Sequence, residues 1–264
     1  MKLSVAIATF NEERNIKSCL ESIYGWADEI IIIDGSSTDN TVEIAKKFKK
    51  AKVYIFGNPS IFHVNKQKAI DKCGGDWILQ LDADEVVTPE LKNEILKAVN
   101  QQSISYFYLP RKNILLGRWM KKGGLYPDYV IRLFKKGKGR FPCKDVHEQI
   151  EIEGTAGHLK NELIHNSYPT FSEYIRKANI YTSLTAQRFK EEKLKIDIFT
   201  TLLYIIIVPV RTFLSLYFRH LGILDGFPGF VWAFFSASHY PIAYIKYWEK
   251  IRKSNRITKQ GESR

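Results

Sequence analysis

Two carboxylates one residue apart, Asp82 and Asp84 in Leu81-Asp82-Ala83-Asp84-Glu85, follow the apolar run 77–81. At the end of a buried strand such a pair projects from the edge where open parallel sheets bind their ligands. The two charges repel unless a cation joins them, and hard oxygen donors select Mg²⁺ or Mn²⁺, which complete their shells with water and substrate phosphate. Two further polar clusters stand after apolar runs: Asn11, Glu12 and Glu13 after residues 3–10, and Asp34-Gly35-Ser36-Ser37-Thr38-Asp39 after residues 29–33. They supply the donors and acceptors that a nucleobase edge and a ribose need, with Asp34 placed to accept from a base N–H. Local uses compete, since Asn11, Asp39 or Asn40 could cap the helix that follows.

The elements that position these groups alternate. Strand-like residues 3–10, 29–34, 53–56 and 77–81 are separated by helical patterns over 12–24, 40–49 and 64–72, and Ile16, Leu20, Ile23 and Tyr24 share one helical face. Strands apolar at every position are covered on both sides, so this alternation predicts an α/β fold, a mostly parallel Rossmann-like sheet flanked by helices. Beyond residue 106 glycines punctuate shorter strand-like pieces such as 129–134. Thr170 and Glu173 have capping-box spacing, and Tyr174, Ala178, Tyr181 and Thr185 recur at helical intervals, predicting a helix over 172–193.

Composition changes at residue 196. Residues 198–210 carry no charge and 227–245 none with histidine neutral, while Pro209, Pro228 and Pro241 interrupt them. The runs read as helices lying in or re-entering a membrane interface; two tight spans, or a buried helical pair, are the alternatives. Lys246, Lys250, Arg252, Lys253, Arg256, Lys259 and Arg264 then face only Glu249 and Glu262, a tail drawn to anionic lipid. We therefore divide the chain into a catalytic domain, 1–195, and a helical membrane-association region, 196–264. The net charge of +12 favours anionic partners. Nucleic acid is not among them, because the basic residues are not interleaved with aromatics on one platform and no nucleic-acid-binding module is present. Cys19, Cys73 and Cys143 have neither the pairing nor the spacing of a disulfide frame or zinc site, which fits a reducing compartment.

Ser4-Val-Ala-Ile-Ala-Thr-Phe-Asn-Glu-Glu13, Ile31-Ile-Ile-Asp-Gly-Ser-Ser-Thr-Asp-Asn-Thr41 and Leu81-Asp-Ala-Asp-Glu85 together resemble the family 2 glycosyltransferases of GT-A fold. Arg132-Leu-Phe134, Asp145-Val-His-Glu148, His165-Asn-Ser-Tyr168 and Leu224-Asp-Gly226 look like the branch of lipopolysaccharide-core β-1,4-glucosyltransferase-like enzymes. The resemblance implies an inverting transfer from a nucleotide-sugar, a UDP-sugar foremost, to a membrane-borne, lipid-linked glycan acceptor at the cytoplasmic face of the inner membrane, by a peripheral or monotopic enzyme. Asn11, Glu12, Glu13 and Asp34 would hold the nucleoside, Asp82 the ribose or the metal, and Asp84 the metal. His165 would add a metal ligand from the C-terminal side. The Gln-x-x-Arg-Trp signature of processive relatives is missing, which argues against polymer synthesis.

Inversion needs a base for the acceptor hydroxyl on the side away from the departing diphosphate. Glu148 is the favoured base, with His147 and Asp145 as alternatives. Between residues 111 and 140 ten Lys or Arg stand against Asp128, and Arg132 is the one assigned to the diphosphate. Transfer to polyprenyl phosphate, or a noncatalytic membrane scaffold that binds nucleotide-sugar, are the rival readings.

Overall fold

The computed structural model of the chain describes residues 1–59, 61–143 and 149–261, with side chains up to residue 253 in the last helix. Two compact units form, residues 1–113 with 127–166, and residues 114–126 with 167–264.

In the first unit β1 (Leu3–Thr9), β2 (Glu29–Asp34), β3 (Ala51–Ile55) and β4 (Trp77–Asp82) run parallel in the order β3-β2-β1-β4. The helices α1 (Ile16–Tyr24), α2 (Thr41–Lys46) and α3 (His63–Lys72) connect them. The four consecutive isoleucines of β2 explain the burial on both sides. Ile30 and Ile32 join Val5, Ile7, Leu79 and α1 in one core, while Ile31 and Ile33 join Ala6, Ile78 and α3 in the other. Each fully buried side chain of this size contributes about 1.5–3 kcal/mol.

After β5 (Glu85–Val87) and α4 (Pro89–Ala98) the pattern changes. The strands that follow are β6 (Tyr106–Leu115), β7 (Arg118–Trp119), β8 (Asp128–Lys135), β9 (Gly139–Arg140), β10 (Glu151–Ile152), β11 (Ala156–His158) and β12 (Leu163–Tyr168). β8 joins β4 and β6 antiparallel, and β12 pairs antiparallel with β5. The expected parallel order therefore holds for the first four strands, and the whole sheet is mixed. Among the described residues no crossover helix lies between β6 and β12 to return the chain in the same direction. The basic stretch 111–140, which its charge alone would make a solvated loop, runs through the end of β6, β7, β8 and the whole of β9.

In the second unit α5 (Phe171–Glu191) begins as its capping residues predict, with Thr170 Oγ1 accepting from Glu173 N–H at 3.2 Å. An apolar helix, Ile198–Arg219, and a long C-terminal helix, Gly226–Gly261, follow. Ala186 and Phe189 of α5 pack with Ala243, Tyr244 and Tyr247. Leu115, Met120 and Tyr174 pack with Trp232 and Phe235.

Candidate active site

Because β2, β1 and β4 are adjacent and parallel, the residues after each of them meet at one sheet edge, with Thr9 in register with Asp34 and Ala8 with Asp82. The first two loops are bonded together. Asn11 N–H donates to Ser37 Oγ at 2.8 Å, Thr38 N–H donates to Asn11 Oδ1 at 2.8 Å, and Asn40 N–H and Nδ2 donate to Glu13 Oε2. Glu12 N–H donates to Thr41 Oγ1 at 2.8 Å. Asn11 (φ 53°) and Ser36 (φ 62°) both sit in the left-handed region, a cost that surrounding bonds sustain at functional sites.

Asn11 does not cap α1, whose N-cap is Asn15. Asp39 accepts from the N–H and Oγ1 of Thr41 and from Glu13 N–H. Burial pushes its carboxyl up, but these hydrogen bonds outweigh burial and hold it below the usual range. Asp34 is fully buried, and its two oxygens accept from Ser37 Oγ at 2.6 Å and Ser37 N–H at 2.8 Å. It shapes the Ser37 loop from beneath. At the same edge Thr9 Oγ1 is buried with no hydrogen-bond partner.

The acidic turn after β4 is compensated by cations from three other elements. Asp82 pairs with Lys66 of α3 through Oδ1 and with Arg132 of β8 through Oδ2. Burial raises the Asp82 carboxyl, yet Arg132 and Lys66 win and hold it well below the ordinary carboxylate range. Glu85, fully buried, accepts from Asp82 N–H at 2.9 Å and Arg132 Nη2 at 2.7 Å, and lies 3.6 Å from Arg111 Nη1. Arg132, which also donates to Gln80 Oε1, is 7% exposed, so its charge reaches this edge through Asp82 rather than through open solvent.

In the same acidic turn Asp84 meets His165, whose Nε2 lies 3.5 Å from Asp84 Oδ2. The other ring nitrogen is fixed by a chain of bonds. Arg111 Nε and Nη2 donate to Asp128 Oδ2 at 2.9 and 2.7 Å, Asn113 Nδ2 donates to the same oxygen at 3.0 Å, and Asn113 Oδ1 lies 2.6 Å from His165 Nδ1. Since Asn113 Oδ1 can only accept, His165 Nδ1 carries the hydrogen. Nε2 is then the ring nitrogen turned to Asp84. A histidine whose far nitrogen is held this way, beside a carboxylate, matches the environment of metal-ligating histidines, so these residues fit a divalent cation. Among the described residues no preformed group of three or more His, Cys, Asp or Glu ligands occurs. That suits a cation held by one or two protein ligands plus substrate oxygens.

Of the residues singled out from sequence, the structure gathers Asn11, Glu12, Glu13, Asp34, Asp82, Asp84, Arg132 and His165 in the first unit. Asp145, His147 and Glu148 lie outside the described residues. Sequence reasoning passed over Lys66, Gln80, Glu85, Arg111, Asn113 and Asp128. Only Glu85, adjacent to the acidic pair, carried a local signal.

The profile of the Glycosyl transferase family 2 matches residues 4–179. A lipopolysaccharide core biosynthesis glycosyltransferase, LpsC, of Rhizobium meliloti is 30% identical, covering 90% of this chain and 91% of its own. An uncharacterized glycosyltransferase of Rickettsia typhi is also 30% identical, covering 87% and 81%. Among solved structures, S. aureus TarS residues 1–349 in complex with UDP shares the fold, with a TM-score of 0.50 at 14% identity over 93% of this chain and 92% of that one. With two thirds of its length inside the family profile and its acidic turn at the sheet edge, this chain belongs to the family 2 glycosyltransferases.

Proposed function

We propose that this glycosyltransferase transfers a hexose, with inversion, from a UDP-sugar to a membrane-borne glycan acceptor during lipopolysaccharide or cell-envelope synthesis at the cytoplasmic face. The observation that carries the reading is the Asp84–His165 pair with its Asn113 and Asp128 support, beside an Asp82 already held by two cations. The 30% identity to LpsC supports an acceptor of the lipopolysaccharide-core kind, and the UDP bound by TarS, a protein of the same fold, supports the donor.

The roles follow from position. The cross-bonded loops of Asn11 to Glu13 and Ser37 to Asp39 form a rigid cradle for the nucleoside, with Asp34 fixing Ser37. Asp84 and His165 would hold Mg²⁺ or Mn²⁺, which neutralises charge on the departing diphosphate. Lys66 and Arg132 keep Asp82 ionised and oriented toward the ribose or the metal. Glu148 is the proposed base, with His147 or Asp145 as its partner or substitute.

The test is turnover of labelled UDP-sugars with acceptor-bearing membranes. Label in the lipopolysaccharide-type glycan, lost in Asp84→Asn while its melting curve is retained, is the expected result. Label confined to a polyprenyl phosphate would contradict the acceptor assignment, and undiminished turnover in Asp84→Asn would contradict the metal assignment.

A further inference from the structure

The helix Ile198–Arg219 is long and apolar enough to cross a bilayer by composition, and none of its most apolar window is buried in the protein. Among its exposed side chains Phe199, Leu203, Ile206, Val210, Leu214 and Phe218 recur every three or four residues, each at least 40% exposed, with Ile198, Leu202, Ile205 and Ile207 exposed beside them. At about 1.5 Å per residue the line from Phe199 to Phe218 runs about 28 Å.

The opposite side of the helix is committed to protein. Tyr204 stacks on Tyr244 of the C-terminal helix and packs against Phe189 of α5, and Thr201 Oγ1 lies 2.9 Å from Tyr244 OH. The C-terminal helix is in turn bonded along α5, where Lys246 Nζ donates to Asn179, Thr182 and Ser183. α5 exposes Arg176, Arg188, Lys190 and Glu191, so a helix crossing the bilayer would draw these charges into hydrocarbon with it. Each costs about 2.5–3.5 kcal/mol at a bilayer centre on insertion scales. Arg211, exposed two thirds of the way along the apolar helix, would meet the same penalty.

The end of the apolar helix is tied down as well. Gly123 N–H donates to His220 O at 2.9 Å, and the buried Asp225 accepts from the N–H groups of Lys121 and Lys122 at 3.3 and 2.7 Å. Arg118 Nε approaches Asp225 at 3.9 Å and its Nη2 donates to Leu224 O. Basic side chains thus stand at both ends, Lys193 and Lys195 before the helix and Arg219, Arg118, Lys121 and Lys122 at its close, with Asp197 as the one acid from 193 to 219.

We infer that Ile198–Arg219 lies flat in the interface of an anionic phospholipid bilayer, its Phe199-to-Phe218 line among the acyl chains and its flanking cations at the headgroups, and does not span the membrane. An in-plane helix buries one face about 5–10 Å deep, which leaves α5 and the second-unit core in water. The inference deepens the membrane part of the proposed function and rests on it.

Spin labels placed singly by Phe199→Cys, Ile206→Cys and Leu214→Cys, in a Cys143→Ser background, report depth through their relative accessibility to oxygen and to a nickel chelate. Vesicles of phosphatidylcholine with and without phosphatidylglycerol provide the surface. The expected result is sedimentation with the anionic vesicles and one shared shallow depth for all three labels. A depth that passes through the bilayer centre at Ile206 would overturn the inference while leaving membrane attachment intact. Labels shielded without vesicles, with a doubled solution mass, would assign the face to a second copy of this chain instead. Absence of sedimentation with either vesicle would overturn the inference and the membrane reading together, whereas UDP-sugar turnover on the same samples reports the catalytic reading separately.

Discussion

Asn113 and His165 are 52 positions apart, yet one hydrogen bond between them fixes which nitrogen of the imidazole is turned to Asp84. Asn113→Ala removes that control without touching Asp84. Mn²⁺ affinity, read by electron paramagnetic resonance, is expected to fall about 10–100-fold with the melting point nearly kept; unchanged affinity would remove Asn113 from the site. Asp82 adds a pH dependence. Its carboxyl is held below the usual value in the folded chain, so its contribution to stability is complete above about pH 4 and is lost as pH falls through the depressed value. Lys66→Met raises that folded value, and the acid-unfolding midpoint is expected to move to higher pH. The thiols titrate oppositely: burial first, then nearby acids including Glu85 and Asp84, pushes Cys19 well up, and burial followed by Glu29 pushes Cys73 up to about 12. Native protein at neutral pH should therefore label with a thiol reagent at Cys143 alone among the three, and at all three after denaturation. Asp82 and Asp84 were legible in the sequence because the apolar strand that carries them is contiguous with them. Lys66, Asn113 and Asp128 were not, because they reach the site from α3, β6 and β8, and no local pattern records that meeting.

The first four strands and the start of α5 could be read because each has its own local cause, four isoleucines covered on both faces or a threonine whose hydroxyl meets the third N–H of the helix. The strand-like run 129–134 marked β8, but its pairing with β6 could not be read, since the Lys and Arg content of 111–140 resembles a solvated loop until Arg111 finds Asp128 and Glu85, and Arg132 finds Asp82. α1 also begins later than its pattern suggests. Glu12 O accepts from both Asn15 and Ile16, closing a turn ahead of the first helical residue. The hairpin between the two apolar helices depends on a close backbone approach: a Cβ on Gly229 would stand 1.9 Å from Gly222 O, and Gly226 adopts φ 68°. Gly229→Ala is expected to cost about 1–3 kcal/mol in chemical denaturation. Gly25→Ala, where an added Cβ meets nothing within 4 Å, should change stability far less. Equal costs at the two positions would refute the packing account.

At the level of the chain, the α/β class followed from alternating periodicities, whereas the composition of the second unit did not. Segment 114–126 belongs with residues 167–264, and the bond from Lys122 N–H to Asp225 spans 103 positions. Such a contact leaves only the Leu224-Asp225-Gly226 triplet as its trace in sequence. The charge of +12 has a similar character, favouring anionic partners in general while the placement of particular cations decides which ones. Lys66 and Arg132 serve the acidic turn, and Arg118, Lys121 and Lys122 gather at the hairpin. The central claim is that Asp84 and His165 hold a divalent cation that in turn holds a nucleotide's diphosphate, and titration of Mn²⁺ by electron paramagnetic resonance with and without UDP tests it most directly. Wild-type protein should bind Mn²⁺ more tightly when UDP is present, with that gain lost in both Asp84→Asn and His165→Ala. Folded wild-type protein that takes up no Mn²⁺ in the presence of UDP would contradict the claim.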